Sequence, residues 1–194
     1  MMRLEDIRRQ LAEITIDDAA YEDMQQKAAE AATLSETINY HYAMLSEGRP
    51  IRPRLGNEMQ ILYMRDRQVY SFLLFPELLD IEYQVAKVIG AHYVAPYLSG
   101  DTLPEIVQGN VVMCDEHKYA FQEIVEVDET HAVYRNHECA DCFGLPDIGM
   151  KLCVYEAGTA AGGIEERLGR AVKVTETKCC AHGDPYCEFH VEVL

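Results

Sequence analysis

The sequence ETKCCAHGDPYCEF, residues 176–189, contains the turn between two predicted strands. Before this turn, residues 170–177 alternate between apolar and polar side chains, which predicts a strand whose apolar face ends in Glu176. After the Gly-Asp-Pro turn a second strand is predicted, and the apolar face of that strand begins at Cys187. A carboxylate and a thiol therefore lie at the ends of two otherwise apolar faces.

Glu176 and Cys187 together point to a metal site. A buried carboxylate without a partner is unfavourable by several kcal/mol, so it is expected to be protonated or bound to a cation. Cys179 lies in the connecting turn, and Cys153 borders the apolar stripe of a helix that we predict over residues 147–168. Zinc accepts thiolate sulfur and carboxylate oxygen in tetrahedral geometry. We therefore predict a closed, structural zinc site formed by Cys153, Glu176, Cys179 and Cys187.

The same residues allow other interpretations. Cys187 could pack in the core while Glu176 lies in water at a strand end, or the thiols could form a disulfide. His182 could replace Cys179 as a ligand. Cys180 is expected to be a packed or exposed thiol beside the site. The zinc site is preferred because it accounts for a carboxylate on an apolar face.

A second pair of thiols, Cys139 and Cys142, lies in a Cys-x2-Cys motif directly after a predicted hairpin. Two thiols at this spacing chelate a metal, form a redox pair or line a loop, and alone they supply half of a metal site. The other half could come from a second subunit or from one of three nearby residues, Cys114, His117 and His137. Alternatively, one zinc is held by Cys139, Cys142, Cys179 and Cys187, and Cys153 belongs to the core.

These motifs resemble those of a known family. A helix with a cysteine and a run of small residues, followed by Glu-x2-Cys-x7-Cys-x-Phe on a terminal hairpin, is similar to the 4-vinyl reductase domain family. That family includes archaeal stand-alone proteins and aromatic-sensing domains. The resemblance is close over residues 147–193 and weaker over 54–142. It implies the α+β fold of haem nitric-oxide sensors and TRAPP vesicle-tethering subunits, a small antiparallel sheet packed with helices that is often dimeric.

The resemblance also implies functional residues. In the aromatic-sensing branch, a structural zinc is held at the positions that match Cys153, Glu176, Cys179 and Cys187, which is the set that the residues themselves predict. Families of this fold hold apolar ligands between their helices and the sheet. We accordingly expect a pocket between the predicted helices 76–93 and 147–168 and the sheet. The residues expected to line it are Tyr83, His92, Gly158, Ala161 and Gly162.

The composition limits the classes of function. The chain of 194 residues carries 33 acidic and 17 basic side chains, and the formal net charge of −16 argues against direct binding to nucleic acid. We expect no membrane span, because no apolar run has the necessary length, and no signal peptide at the N-terminus. Seven cysteines without an export signal indicate a reducing cytoplasm.

The chain is expected to have two parts. Residues 1–50 predict an N-terminal helical extension, whose long amphipathic helix over 18–46 is a candidate for the interface of a homodimer. Residues 51–194 are predicted to form an α+β ligand-binding domain with the zinc site, in which residues 58–74 suit a helix or a buried strand. A hairpin over 119–137 and the terminal pair of strands predict a four-stranded antiparallel sheet packed with helices.

The sequence lacks the glycine fingerprint of dinucleotide-binding proteins, the Walker lysine motif and a nucleophile elbow, so autonomous reductase chemistry is not expected. The leading hypothesis is a zinc-stabilised sensor or carrier that binds an apolar, aromatic or tetrapyrrole-like small molecule without transforming it. Two alternatives remain. One is an accessory factor or enzyme of tetrapyrrole metabolism, and the other is a redox or metal sensor that uses Cys139 and Cys142.

Overall fold

The computed structural model describes residues 59–194, with side chains from residue 63 onward. The predicted N-terminal extension, with its helix over 18–46 and the domain boundary after residue 50, lies outside the described residues. The described helices and strands, in chain order, are α1 (Met59–Leu74), α2 (Leu78–Ile89), α3 (Leu103–Glu116), β1 (Phe121–Val127), β2 (His131–His137), α4 (Val154–Leu168), β3 (Val172–Lys178) and β4 (Cys187–Val193).

These strands form one antiparallel sheet in the order β1-β2-β4-β3, which confirms the predicted α+β fold with a four-stranded antiparallel sheet. Asp128 shapes the first hairpin, because its Oδ1 atom accepts hydrogen bonds from the backbone N–H groups of Thr130 and His131, both at 2.8 Å. On the inner strands, the buried rings of Tyr134 and Phe189 stack with their centroids 5.0 Å apart. The core is therefore built on β2 and β4.

Helix α4 begins at Val154, so the predicted start at residue 147 is wrong. The Oδ1 atom of Asp147 accepts a hydrogen bond from the N–H of Gly149 at 2.8 Å, which closes a turn instead of starting a helix. Gly149 has a φ of 70°, a left-handed conformation that a helix cannot contain. Cys153 consequently lies in the last loop residue before α4 rather than on the surface of the helix.

Glycines bring α4 into backbone contact with α2. A Cβ atom added at Gly158 would lie 2.5 Å from the carbonyl oxygen of Tyr83, and one added at Gly162 would lie 1.9 Å from that of Lys87. Both distances are far below van der Waals contact, so only glycine fits at these positions. The small residues that we expected to leave room for a ligand therefore admit a neighbouring helix.

The end of α2 differs from the predicted helix over 76–93. Its chain continues from Ile89 into a π-helical turn, Gly90–Val94, and then into a 3-10 turn that contains Pro96. Proline has no backbone N–H and cannot extend the helical hydrogen-bond ladder. Helix α3 starts, as predicted, after a cap at Thr102. None of the helices in the described part of the chain is both long enough and apolar enough to cross a membrane.

Candidate metal centre

Six buried side chains that can bind metals converge at one end of the sheet. They are Cys139, Cys142, Cys153, Glu176, Cys179 and Cys187. The pairing of β2 with β4 explains much of this convergence. Asn136, near the end of β2, lies opposite Cys187 at the start of β4, so the loop that follows β2 lies beside this thiol. The hairpin of β3 and β4 and the residue before α4 supply the remaining members.

The sulfur atoms of this cluster are spaced like ligands of a shared metal ion. The Sγ atom of Cys153 lies 3.6 Å from that of Cys139, 3.4 Å from Cys142, 3.9 Å from Cys179 and 3.7 Å from Cys187. Zinc binds thiolate sulfur at about 2.3 Å, so two sulfurs on one tetrahedral ion are about 3.8 Å apart. All seven cysteines lie within the described residues and all are free thiols. The cluster therefore has the dimensions of a metal–thiolate site.

Two overlapping groups of four residues could hold a metal ion. The first is the predicted set, Cys153, Glu176, Cys179 and Cys187, and the second is Cys139, Cys142, Cys153 and Cys187. Within each group all ligand atoms lie within 4.8 Å of one another. The structure thus brings the predicted ligand set together, and it places the Cys-x2-Cys pair against two sulfurs of the same set.

Five residues that the sequence offered as further ligands or neighbouring thiols lie outside both groups. They are Cys114, His117, His137, Cys180 and His182. The thiol of Cys114 accepts a contact from the amide of Gln122 at 3.7 Å in the core, and His137 lies 3.0 Å from the carboxylate of Glu123. Cys180 is half-buried with its sulfur 4.0 Å from that of Cys187. The partners of the Cys-x2-Cys pair are therefore distant in sequence rather than near.

Glu176 reaches the cluster from β3, and one of its two carboxylate oxygens lacks a partner. Its Oε2 atom accepts a hydrogen bond from the N–H of Cys153 at 3.0 Å, whereas Oε1 is buried without a hydrogen-bond partner among the described residues. Burial and, next, the nearby Cys179 thiol raise the pKa of Glu176 to about 10. A metal ion would satisfy the unpaired oxygen and keep the carboxylate ionised.

Contacts among the sulfurs shift the pKa of the thiols. The contact with Cys139 raises the pKa of Cys142, but contacts with Cys153, Cys179 and Cys187 outweigh it and lower this pKa to about 4. Cysteine binds metals as the thiolate. The arrangement of the sulfurs therefore favours the protonation state that metal binding requires.

Two residues that the sequence analysis did not single out belong to the loop of the Cys-x2-Cys pair or hold it. The guanidinium group of Arg65 donates hydrogen bonds to the carbonyl oxygens of Ala140, of Phe143 at 2.9 Å and of Cys139 at 3.2 Å. Asp141 is only 8% exposed, and burial raises its pKa to about 7. No local pattern marks Arg65, because its partners lie 74 to 78 positions away along the chain.

A cavity of about 450 Å³ lies beside this loop, between α1, α2 and the start of α4. Phe72 and Leu78 contribute apolar surface to its wall, and Arg67 and Glu82 contribute charged groups. Asp141 extends into the same wall from the Cys-x2-Cys loop. The cavity and the cysteine cluster therefore share a structural element.

The residues of the predicted pocket do not line this cavity. They are Tyr83, His92, Gly158, Ala161 and Gly162. His92 is exposed at the surface, and the hydroxyl group of Tyr83 accepts a hydrogen bond from the N–H of Val174 at 3.2 Å. The space beside the two glycines is filled by the backbone of α2. A run of small residues predicted a close approach here, but it did not distinguish a neighbouring helix from a ligand.

The chain is similar in sequence to known proteins. Residues 132–193 match the model of the vinyl-4-reductase (V-4-R) domain family. An uncharacterised protein of Methanocaldococcus jannaschii is 34% identical over 113 residues, which are 58% of this chain and 64% of that protein. This chain therefore spans less than two thirds of the length of that relative.

Solved structures share the fold at low sequence identity. The phenol-responsive sensory domain of the transcription activator PoxR, solved with phenol, is 14% identical with a TM-score of 0.55, over 69% of this chain and 73% of that chain. A vinyl-4-reductase family protein from Methanocaldococcus jannaschii is 16% identical with a TM-score of 0.44, over 65% of this chain and 78% of that chain. The family match includes all six side chains of the cluster and confirms the resemblance found in the sequence. The chain therefore contains a vinyl-4-reductase domain, which spans residues 132–193.

Proposed function

We propose that residues 61–194 form a small-molecule sensor or carrier, and that zinc in the cysteine cluster stabilises the wall of its binding cavity. One observation carries this proposal: Asp141 belongs both to the Cys-x2-Cys loop and to the wall of the cavity. A metal that orders this loop would also shape the ligand site. The role of the metal is structural, because the set of Cys153, Glu176, Cys179 and Cys187 fills all positions of a tetrahedral ion.

The cavity suits a compound with an aromatic or apolar body and a polar substituent. Its volume of about 450 Å³ lies in the usual range for small-molecule sites. Phe72 and Leu78 would contact the apolar body. A pure hydrocarbon would leave the charged groups of Arg67, Glu82 and Asp141 without partners in the wall, which is unfavourable. An aromatic compound with a hydroxyl, amino or carboxyl group therefore fits better.

Zinc and an aromatic ligand each have further support. The cluster offers thiolates and one carboxylate, a mixture that zinc accepts in tetrahedral geometry and that magnesium and calcium, which prefer oxygen ligands, do not. The sensory domain of PoxR, solved with phenol, has a similar fold. That similarity supports, at the level of the fold, a small aromatic ligand for this chain.

The test combines native mass spectrometry with a variant that blocks the cavity. Freshly purified full-length protein is expected to retain zinc and a small molecule that extraction with organic solvent releases. Ser71→Trp fills the cavity from α1 and should weaken binding of phenol, the first probe, by roughly tenfold, or about 1.4 kcal/mol. Asp66→Trp is the matched control, because Asp66 is exposed on the same helix and does not line the cavity.

Equal weakening by both variants, or by neither, would remove the cavity from the proposed function. Zinc content should be the same in the two variants, because neither residue belongs to the cluster. Turnover of the extracted compound by the protein with an added reductant would favour the alternative of an enzyme of tetrapyrrole metabolism.

A further inference from the structure

We propose that the cysteine cluster is a two-metal centre in which the sulfur atoms of Cys153 and Cys187 bridge two divalent ions. This inference rests on the proposed zinc site and adds a second ion to it. Its basis is the number of donors. Six buried side chains with ligand atoms converge, whereas one tetrahedral ion uses four.

The two groups of potential ligands account for all six donors. Both groups contain Cys153 and Cys187, and each group adds two residues that the other lacks. These two added residues are called the terminal pair of that group. One ion would be completed by the terminal pair of Cys139 and Cys142, and the other by the terminal pair of Glu176 and Cys179.

The distances between the sulfur atoms agree with this assignment. The bridging sulfurs of Cys153 and Cys187 lie 3.7 Å apart, close to the edge of about 3.8 Å between two sulfurs on one tetrahedral zinc. Cys142 lies 3.4 Å from the first bridging sulfur and 3.2 Å from the second. On the other side, Cys179 lies 3.9 Å from Cys153. Both bridging sulfurs thus have ligand atoms of both terminal pairs within 4.8 Å.

A single ion would leave buried donors without a partner. If it bound the set that contains Glu176, the thiols of Cys139 and Cys142 would stay buried, 3.6 and 3.4 Å from the sulfur of Cys153. The distance of 3.8 Å between Cys142 and Cys179 would also suit an ion held by four thiolates. That ion would leave the Oε1 atom of Glu176 buried without a partner. Two ions satisfy all the donors.

The charges around the cluster also suit two ions. Five thiolates and one carboxylate carry six negative charges in total, of which one divalent ion neutralises two and a second ion neutralises two more. A positive side chain lies beside each terminal pair. Arg65 donates to the carbonyl oxygen of Cys139 at 3.2 Å, and the ammonium group of Lys151 donates to that of Glu176 at 3.4 Å. These groups offset part of the remaining negative charge.

Metal stoichiometry of the full-length chain tests this proposal. Metal-free protein is titrated with zinc alone, or with cadmium alone, and the number of bound ions is read by native mass spectrometry. Two ions per chain are expected. The double variant Cys139→Ser/Cys142→Ser should bind one ion, because it lacks one terminal pair. Cys180→Ser is the matched control and should still bind two, because Cys180 lies outside both groups.

Cadmium NMR of the unsubstituted protein gives a second readout that does not depend on any variant folding. Two cadmium resonances that are coupled to each other through the shared sulfurs are expected. One ion per chain at saturation would overturn the two-metal centre and leave the proposed zinc site intact, whereas no bound ion would overturn both. Iron with acid-labile sulfide would also overturn the proposal, because inorganic sulfide would then supply the bridges.

Discussion

The carboxylate of Glu176 has one oxygen bonded to the N–H of Cys153 and one oxygen without a partner among the described residues. In the metal-free protein, burial raises the pKa of this group to about 10 from its ordinary value of 4.5, so the carboxyl group is neutral at neutral pH. A carboxylate that binds metal must be ionised. A proton and a metal ion therefore compete for Glu176, and pH should control the outcome.

We expect the stability of the metal-free protein to fall as pH rises from about 4.5 to about 10. Over this window the folded state keeps the proton of Glu176 while the unfolded state releases it, so the unfolded state gains with rising pH. Thermal melts across the window measure the effect. The metal-free Glu176→Gln variant is the control, because its side chain does not titrate. If the melting temperatures of both proteins fall equally with pH, the high pKa is not a property of Glu176.

At the scale of the elements, the contact between α2 and α4 depends on two positions without side chains. Gly158 and Gly162 let the backbones touch, which explains why the run of small residues from 157 to 163 is buried. This contact fixes the start of α4 and with it Cys153, which directly precedes the helix. The position of a metal ligand thus depends on the packing of two helices.

Gly162→Ala is expected to lower the free energy of unfolding by about 2–3 kcal/mol, because the new Cβ atom would lie 1.9 Å from the carbonyl oxygen of Lys87. Gly163→Ala on the same helix is the matched control. Its Cβ atom would meet the side chain of Leu98 at 3.1 Å, which can move, and the better helix propensity of alanine offsets about 1 kcal/mol. Urea unfolding followed by circular dichroism measures both variants. Equal losses would contradict the backbone contact.

At the scale of the whole molecule, we expect the chain to form a homodimer through the predicted helix over 18–46, which lies outside the described residues. The apolar positions of this segment recur at helical spacing, and their stripe is longer than one domain of this size can cover. Ile38→Glu places a charge on the stripe and should shift the protein to the monomer. Asn39→Glu, on the neighbouring position, should leave the dimer intact.

Light scattering at micromolar concentration distinguishes these outcomes. A monomeric full-length protein without any substitution would show that the amphipathic segment has a different role. Zinc content should not change between the two variants, because all six side chains of the cluster lie in residues 132–193.

Local sequence patterns were sufficient for the strands and for half of the metal centre. Alternation on both sides of the turn at 183–185 predicted β3 and β4, and both strands are present. Glu176 and Cys187 are eleven positions apart on the two arms of one hairpin, so the hairpin alone brings them near each other. By contrast, residues 58–74 suited a helix and a strand equally. Packing decided in favour of α1, because local propensity is weak compared with tertiary contacts.

The other half of the metal centre was decided by the order of the strands. The sequence predicts two hairpins, but it does not determine which strand of the first hairpin lies beside the second. Because β2 pairs with β4, Asn136 lies opposite Cys187, and the following loop brings Cys142 to a thiol 45 positions away. The physical reason is that alternation determines which face of a strand is buried, whereas the identity of the neighbouring strand depends on how the complete sheet buries its apolar face.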